Sequence, residues 1–267
     1  GGHAGGMGSY VAPQGEFSRD TNYITTRITA DGRDGFPVEP GRYRLVVARA
    51  CPWANRAIIV RRLLGLEDAL SIGFCGPTHD ARSWTFDLDP DGVDPVLGIH
   101  WLRDAYDKRI PDYPKGVTVP AIVDVTTGAV ATNDFAQMTL DLSTEWTAFH
   151  RDGAPQLYPE PLRAEIDEVA RRIYTEINNG VYRCGFAGSQ EAYDAAFERL
   201  VGEYPGLQQR LFQHTLDELA QFAPAFTDQG DDNDDQGDDD NGDNSGSGGG
   251  GDDVRSAHAM STHSDDG

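Results

Sequence analysis

The spacing of apolar and polar residues changes several times along this chain, and each change predicts an element. The apolar stretch Leu45 to Ala48 predicts a strand over residues 44–48, and the run from Pro52 to Leu64 predicts a helix directly after it. A second apolar run over residues 70–74 completes a strand, helix, strand unit, which implies a parallel strand pair with a right-handed crossover. Residues 76–116 are polar and rich in Gly and Pro but contain Trp84, Phe86, Trp101 and Tyr106. That is long for a connection, so a functional insertion carrying a short helix is expected. Residues 117–125 and 129–132, separated by Thr126-Thr127-Gly128, read as an antiparallel hairpin. Asn133 or Asp134 then caps a helix running to about Leu142.

Beyond a linker at Gly153-Ala154-Pro155, helical spacing takes over. Leu162, Ile166, Val169, Ile173 and Ile177 predict an amphipathic helix over residues 161–179, with Gly180 as its stop. Ser189 caps a further helix that carries Ala192, Ala196 and Leu200 on one face. Tyr204-Pro205-Gly206 breaks that helix, and residues 207–222 have the composition for one more. The order of elements up to residue 142 is the thioredoxin-like order. Val119-Pro120 supports it, because a proline at the start of the third strand sits where that fold keeps a cis peptide, and proline is otherwise disfavoured inside a strand. The expected architecture is an α/β thioredoxin-like N-terminal domain over residues 41–143, with its insertion at 76–116. A partial all-α domain over 155–223 follows. Residues 1–40 are expected as an N-terminal extension and 224–267 as a disordered Asp/Gly-rich tail.

Composition narrows the function. The 267 residues are 38% apolar and carry a formal charge of −22. Residues 228–267 hold 13 Asp and a single Arg255, and so account for −12 of it. The remainder is only moderately acidic, and it lacks the concentrated basic surface that nucleic-acid binding requires. No stretch is apolar enough to span a bilayer, and no N-terminal segment has the pattern of a leader, so no membrane association and a cytoplasmic location are expected. Cys51, Cys75 and Cys184 are few, odd in number and far apart, which favours thiol chemistry over a disulfide framework. They have no zinc-ligand spacing and the histidines show no paired arrangement, so no metal is expected.

Cys51 carries the chemistry. It stands between a strand and a helix, where unpaired backbone N–H groups and the helix dipole favour negative charge, which lowers a thiol's pKa from about 8.5 toward 7. Pro52 fits the first helical turn because its missing N–H has no intrahelical partner to lose. Ala54 occupies the place of a second cysteine, so redox chemistry here must take its second sulfur from a separate thiol.

Cys51-Pro52-Trp53-Ala54, the Trp84 region, Thr118-Val119-Pro120 and the run Asn178-Asn179-Gly180-Val181-Tyr182-Arg183-Cys184-Gly185-Phe186-Ala187 together resemble the glutathionyl-hydroquinone reductases, the Xi class of glutathione transferases. The resemblance spans about residues 10–201. It implies a homodimeric enzyme that removes glutathione from S-conjugated hydroquinones, with Cys51 forming a mixed disulfide that a second thiol resolves. It also implies a thiol-binding set of Trp53, Trp84, Val119, Pro120, Asp134 and Phe135, in which Val119 pairs with the thiol through its backbone. The partners implied are a small-molecule thiol and a quinol conjugate. Two departures qualify the expectation. The family commonly has Glu-Ser where this chain has Asp134-Phe135, which makes mycothiol a rival to glutathione as the thiol. After Glu203 the family's later helices have no counterpart, so a C-terminally truncated or frameshifted chain is expected. The alternatives are an omega-like thiol transferase or dehydroascorbate reductase, and an inactive thiol-binding fragment.

Overall fold

All six residues of strand β1 (Tyr43–Ala48) are buried, so both faces of this strand need a covering layer. In the computed structural model, which describes residue 17 and residues 23–77, 79–80 and 83–202, that demand is met by a sheet between helices. β1 pairs in parallel with β2 (Leu70–Cys75) after helix α1 (Pro52–Leu64). A two-stranded ribbon of β3 (His79–Asp80) and β4 (Ser83–Trp84) and helix α2 (Leu102–Arg109) occupy the long connection. Strands β5 (Ala121–Asp124) and β6 (Ala129–Thr132) follow, then helix α3 (Phe135–Thr144). The sheet order is β2-β1-β5-β6, with β5 antiparallel to both of its neighbours. This is the thioredoxin-like arrangement expected from the sequence.

Side-chain alternation divides the core. Tyr43, Leu45 and Val47 face α1, α3 and Trp146, whereas Val46 and Ala48 face α2, Phe86 and Ile99. Arg44 shares the buried second face and is paired there with Asp94 at 2.8 Å. Asp94 also accepts from the Val96 and Leu97 N–H groups, so the ion pair ties the connection to the sheet. Gly73 leaves room for this: a Cβ there would lie 2.6 Å from Asp94 Oδ2 and 2.8 Å from Arg44 Nε.

Residues preceding β1 also belong to the core. Ile24 and Ile28 are buried, and Arg27 forms an ion pair with Asp141 of α3. The hairpin strand expected over 117–125 is shorter, because the chain remains outside the ladder until Ala121, past Pro120.

The helical region begins with α4 (Arg163–Ile173), passes through one wide π turn at Tyr174–Asn178, and continues as α5 (Asn179–Gly185). Gly180 therefore does not stop the helix. It is buried within it, and a Cβ there would lie 2.9 Å from Leu200 Cδ1, so its missing side chain serves close packing. Leu200 belongs to helix α6, described over residues 190–202 and capped by Ser189, whose Oγ accepts from the Ala192 N–H at 3.2 Å. Residues 203–267, including the expected break at 204–206, the helix at 207–222 and the acidic tail, lie outside the described residues. Among the described residues no helix is long and apolar enough to cross a membrane.

Gly73→Ala is expected to lower stability by about 1–3 kcal/mol in urea unfolding, because the methyl group overpacks a buried ion pair. Gly185→Ala, whose added Cβ meets nothing within 4 Å, should stay within about 0.5 kcal/mol of the parent.

A second test uses pH. The Tyr43 hydroxyl donates to the Pro37 carbonyl at 2.7 Å, and burial pushes its pKa from 10.0 up to about 12. The native state thus keeps a proton that the unfolded chain releases above the ordinary tyrosine pKa. Its contribution is intact below pH 10 and is lost as pH rises toward 12. Unfolding free energies measured across that window should fall more steeply for the parent than for Tyr43→Phe.

Candidate functional site

β1 delivers the chain to Cys51 through a tight turn in which the Cys51 N–H donates to the Ala48 carbonyl at 3.0 Å. Cys51 is extended (φ −94°, ψ 114°) and is the N-cap of α1, with Pro52 at the first helical position. Its Sγ accepts from the Ala54 N–H at 3.5 Å, and its S–H donates to the Val119 carbonyl at 3.3 Å. The first contact favours an ionised sulfur and the second a protonated one, so the sulfur is held between a donor and an acceptor. Cys51 is partly exposed and touches both layers of the core.

The opposing loop is fixed from several sides. The Tyr106 hydroxyl donates to the Thr118 carbonyl at 2.8 Å, and burial pushes its pKa up, which keeps it a donor. Asn133 Nδ2 donates to Thr118 Oγ1 at 2.9 Å while Asn133 Oδ1 accepts from the Ile24 N–H at 2.7 Å. The Val119-Pro120 peptide is cis. Val119 is thereby held against the sulfur, and no backbone hydrogen bond among the described residues engages its N–H.

On the other side of Cys51 the walls are aromatic. The Trp53 ring lies 4.3 Å from Phe135, 5.7 Å from Tyr174 and 6.5 Å from Tyr182. Tyr182 in turn meets Phe17 in a tilted contact at 5.7 Å and stacks on Phe186 at 6.0 Å. A cavity of about 440 Å³ opens beside this cluster, between the start of α1 and the α4–α5 helix. Pro52, Trp53 and Arg56 line one wall, and Ile173, Tyr174, Ile177, Asn178 and Tyr182 are on the other. The π turn contributes to this wall. In an unbroken α-helix, Tyr182 would be rotated about 120° around the axis from Ala170. The wider turn at Tyr174–Asn178 takes up part of that rotation, and both residues line the same cavity.

The sequence-predicted residues thus fall into four places around Cys51. Val119 and Pro120 stand opposite Cys51, and Trp53 and Phe135 form one buried aromatic pair. Trp84, on β4, packs on the same core layer as Cys51. Asp134 caps α3, its Oδ1 accepting from the Gln137 N–H at 3.2 Å, while Phe135 turns its ring onto Trp53. Sequence reasoning missed Arg56, Tyr174 and Tyr182. The available signals were the place of Tyr174 within the amphipathic segment 161–179 and that of Tyr182 in the run that carries the resemblance. Of the other thiols, Cys75 is buried at the end of β2, where burial and the nearby Asp94, Asp87 and Asp89 push its pKa far up. Cys184 is partly exposed on α5. No group of three or more metal-ligating side chains occurs among the described residues.

Comparison with known proteins finds relatives of the chain. No family model matches the chain. A glutathione transferase of known structure from Gordonia bronchialis is 74% identical, with a TM-score of 0.70, over 72% of this chain and 60% of its own. The Xi glutathione transferase of Phanerochaete chrysosporium is 36% identical, with a TM-score of 0.70, over 76% of this chain and 66% of its own. The glutathionyl-hydroquinone reductase YqjG of Escherichia coli is 36% identical over 208 residues, which are 75% of this chain and 63% of YqjG. Its glutathione-bound structure superposes with a TM-score of 0.65 at 37% identity, over 70% of this chain and 64% of its own. The chain spans about three fifths of the length of the curated relatives it matches. Sequence and fold agree: the chain belongs to the Xi class of glutathione transferases, the family of the glutathionyl-hydroquinone reductases.

Proposed function

We propose that this protein is a thiol-dependent reductase that removes a low-molecular-weight thiol from S-conjugated hydroquinones. The observation that carries the reading is a helix-capping cysteine, beside an aromatic cavity, with the Val119 backbone opposite its sulfur. The reductase named above as a relative supports the substrate class, and its complex with glutathione supports a thiol co-substrate.

In this mechanism the Cys51 thiolate attacks the sulfur of the conjugate. A sulfur–sulfur bond forms as the sulfur–carbon bond breaks. The ring carbon leaves with the electron pair and takes up a proton, giving the hydroquinone. A second thiol then attacks the mixed disulfide as a thiolate, leaves as the symmetric disulfide and returns Cys51 as thiolate. The Ala54 N–H supports the ionised sulfur at the start and end of this cycle. Val119 offers its N–H to the cysteinyl part of the thiol, in the manner of an added strand. Pro120, Trp84 and Asp134 complete the thiol side, Asp134 accepting from the ammonium group when the thiol is glutathione. Trp53, Tyr174 and Tyr182 receive the hydroquinone ring.

Phe135 supports a refinement of the thiol. Its buried ring packs on Trp53 and its side chain has no donor, whereas the family's serine there can hydrogen-bond the γ-glutamyl carboxylate. Mycothiol, which lacks that group, is the thiol favoured by this substitution.

Cys51→Ser should abolish thiol-dependent turnover, and Cys184→Ser should retain it. Mass spectrometry of the native protein after brief iodoacetamide treatment should find Cys51 labelled and Cys75 protected until the chain unfolds. Turnover that survives Cys51→Ser and fails in Cys184→Ser would overturn the assignment.

Saturation curves should show mycothiol binding more tightly than glutathione, by roughly ten- to a hundredfold, the worth of one hydrogen bond to a charged group. Equal or better saturation by glutathione would count against the role given to Phe135.

A further inference from the structure

We propose that the aromatic cavity selects ring substrates that carry an anionic oxygen substituent, a carboxylate, and that Arg56 is the residue that reads it. This inference rests on the functional reading above for the reaction, and on the cavity alone for the recognition.

The cavity walls are largely apolar: Pro52, Trp53, Ile173, Tyr174, Ile177 and Tyr182. Arg56 is the cationic side chain lining it. It lies one helical turn beyond Pro52 on α1, and therefore on the same side of the helix as the start of the Cys51 loop. Two observations separate it from an ordinary surface arginine. First, among the described residues it has no ion pair, hydrogen bond or ring contact, unlike Arg27, Arg42, Arg44, Arg183 and Arg199, each of which is matched by a carboxylate. Second, although the side chain reaches solvent, the surrounding protein desolvates its guanidinium enough to lower its pKa, with no carboxylate to offset the effect. The protein thus keeps an unmatched cation beside an apolar slot in a chain of net charge −22. A guanidinium in that setting pairs with a planar carboxylate through two parallel hydrogen bonds, and the partly dry wall strengthens the pairing relative to bulk water. An aromatic acid satisfies both features, with its ring in the cavity against Trp53 and Tyr174 and its carboxylate on Arg56. Few convergent polar groups in an apolar pocket is the usual composition of a small-molecule site.

The test compares 2,5-dihydroxybenzoate with its methyl ester by titration calorimetry at moderate salt, using the full chain. The parent should bind the acid at least about tenfold more tightly than the ester. Arg56→Met should bring that ratio near one, and Arg56→Lys should retain part of it, because a point charge replaces the fork. Equal affinity of the parent for acid and ester, or a preference unchanged in Arg56→Met, would overturn the proposal. Should Arg56→Met fail to fold, Arg56→Gln and the salt dependence of the parent's preference give the same decision, a salt-independent preference counting against it.

A parallel turnover assay with the glutathionyl and mycothiyl conjugates of both compounds separates this inference from the proposed reaction. Acid-selective binding without release of hydroquinone from any conjugate removes the reaction and leaves the recognition standing. Release without acid selectivity removes the recognition alone.

Discussion

Burial of β1 on both faces is the constraint on which the rest depends. A strand with no exposed residue must sit inside a sheet and be covered twice. The covering layers are α1 with α3 on one side and α2 with the long connection on the other. The one charged residue in the strand, Arg44, is tolerated because Asp94 comes from the connection to meet it. A buried charge without that partner would cost several kcal/mol, so the ion pair fixes where the connection lies more than it adds net stability. Cys51 begins only three residues after β1 ends, and inherits its rigidity from the most deeply buried element of the chain.

Around that fixed point the site is built from separate parts of the sequence. Thr118 and Val119 are held by Tyr106, Asn133 and, through Asn133, the backbone of Ile24. A segment before the sheet thus takes part in positioning the residue opposite the sulfur. The aromatic wall joins α1, α3 and the α4–α5 helix through Trp53, Phe135, Tyr174 and Tyr182. Its conformation depends on one wide helical turn, a feature often found at functional sites because it re-aims side chains without ending the helix.

Charge is distributed with similar economy. The chain is strongly acidic, yet four arginines pair with carboxylates of distant segments: Arg27 with Asp141, Arg42 with Asp124, Arg44 with Asp94 and Arg199 with Glu176. Such pairs act as ties between elements. A cationic group left unmatched at a cavity wall is then available to a ligand.

Local signals in the sequence determined much of this protein. The start of α1 was legible because Pro52 fits the first helical turn, and the structure ends the helix at Gly65, whose φ of +70° suits glycine. The cap at Asn133 or Asp134, which the structure assigns to Asp134, the cap at Ser189 and the candidate nucleophile are likewise local patterns, each carried by a few residues. The tertiary structure decided what depends on approach between distant segments. Gly180 looked like a stop because glycine ends helices, yet here it admits Leu200 of a later helix. Ile24 and Ile28 looked like part of an extension until their burial against the sheet was known. Tyr174 and Arg56 stand out in no local pattern, and the run that contains Tyr182 does not say what that ring faces, since a cavity wall is defined by which faces meet across space. Periodicity identifies an apolar face, and only packing decides whether that face meets another helix or an open pocket.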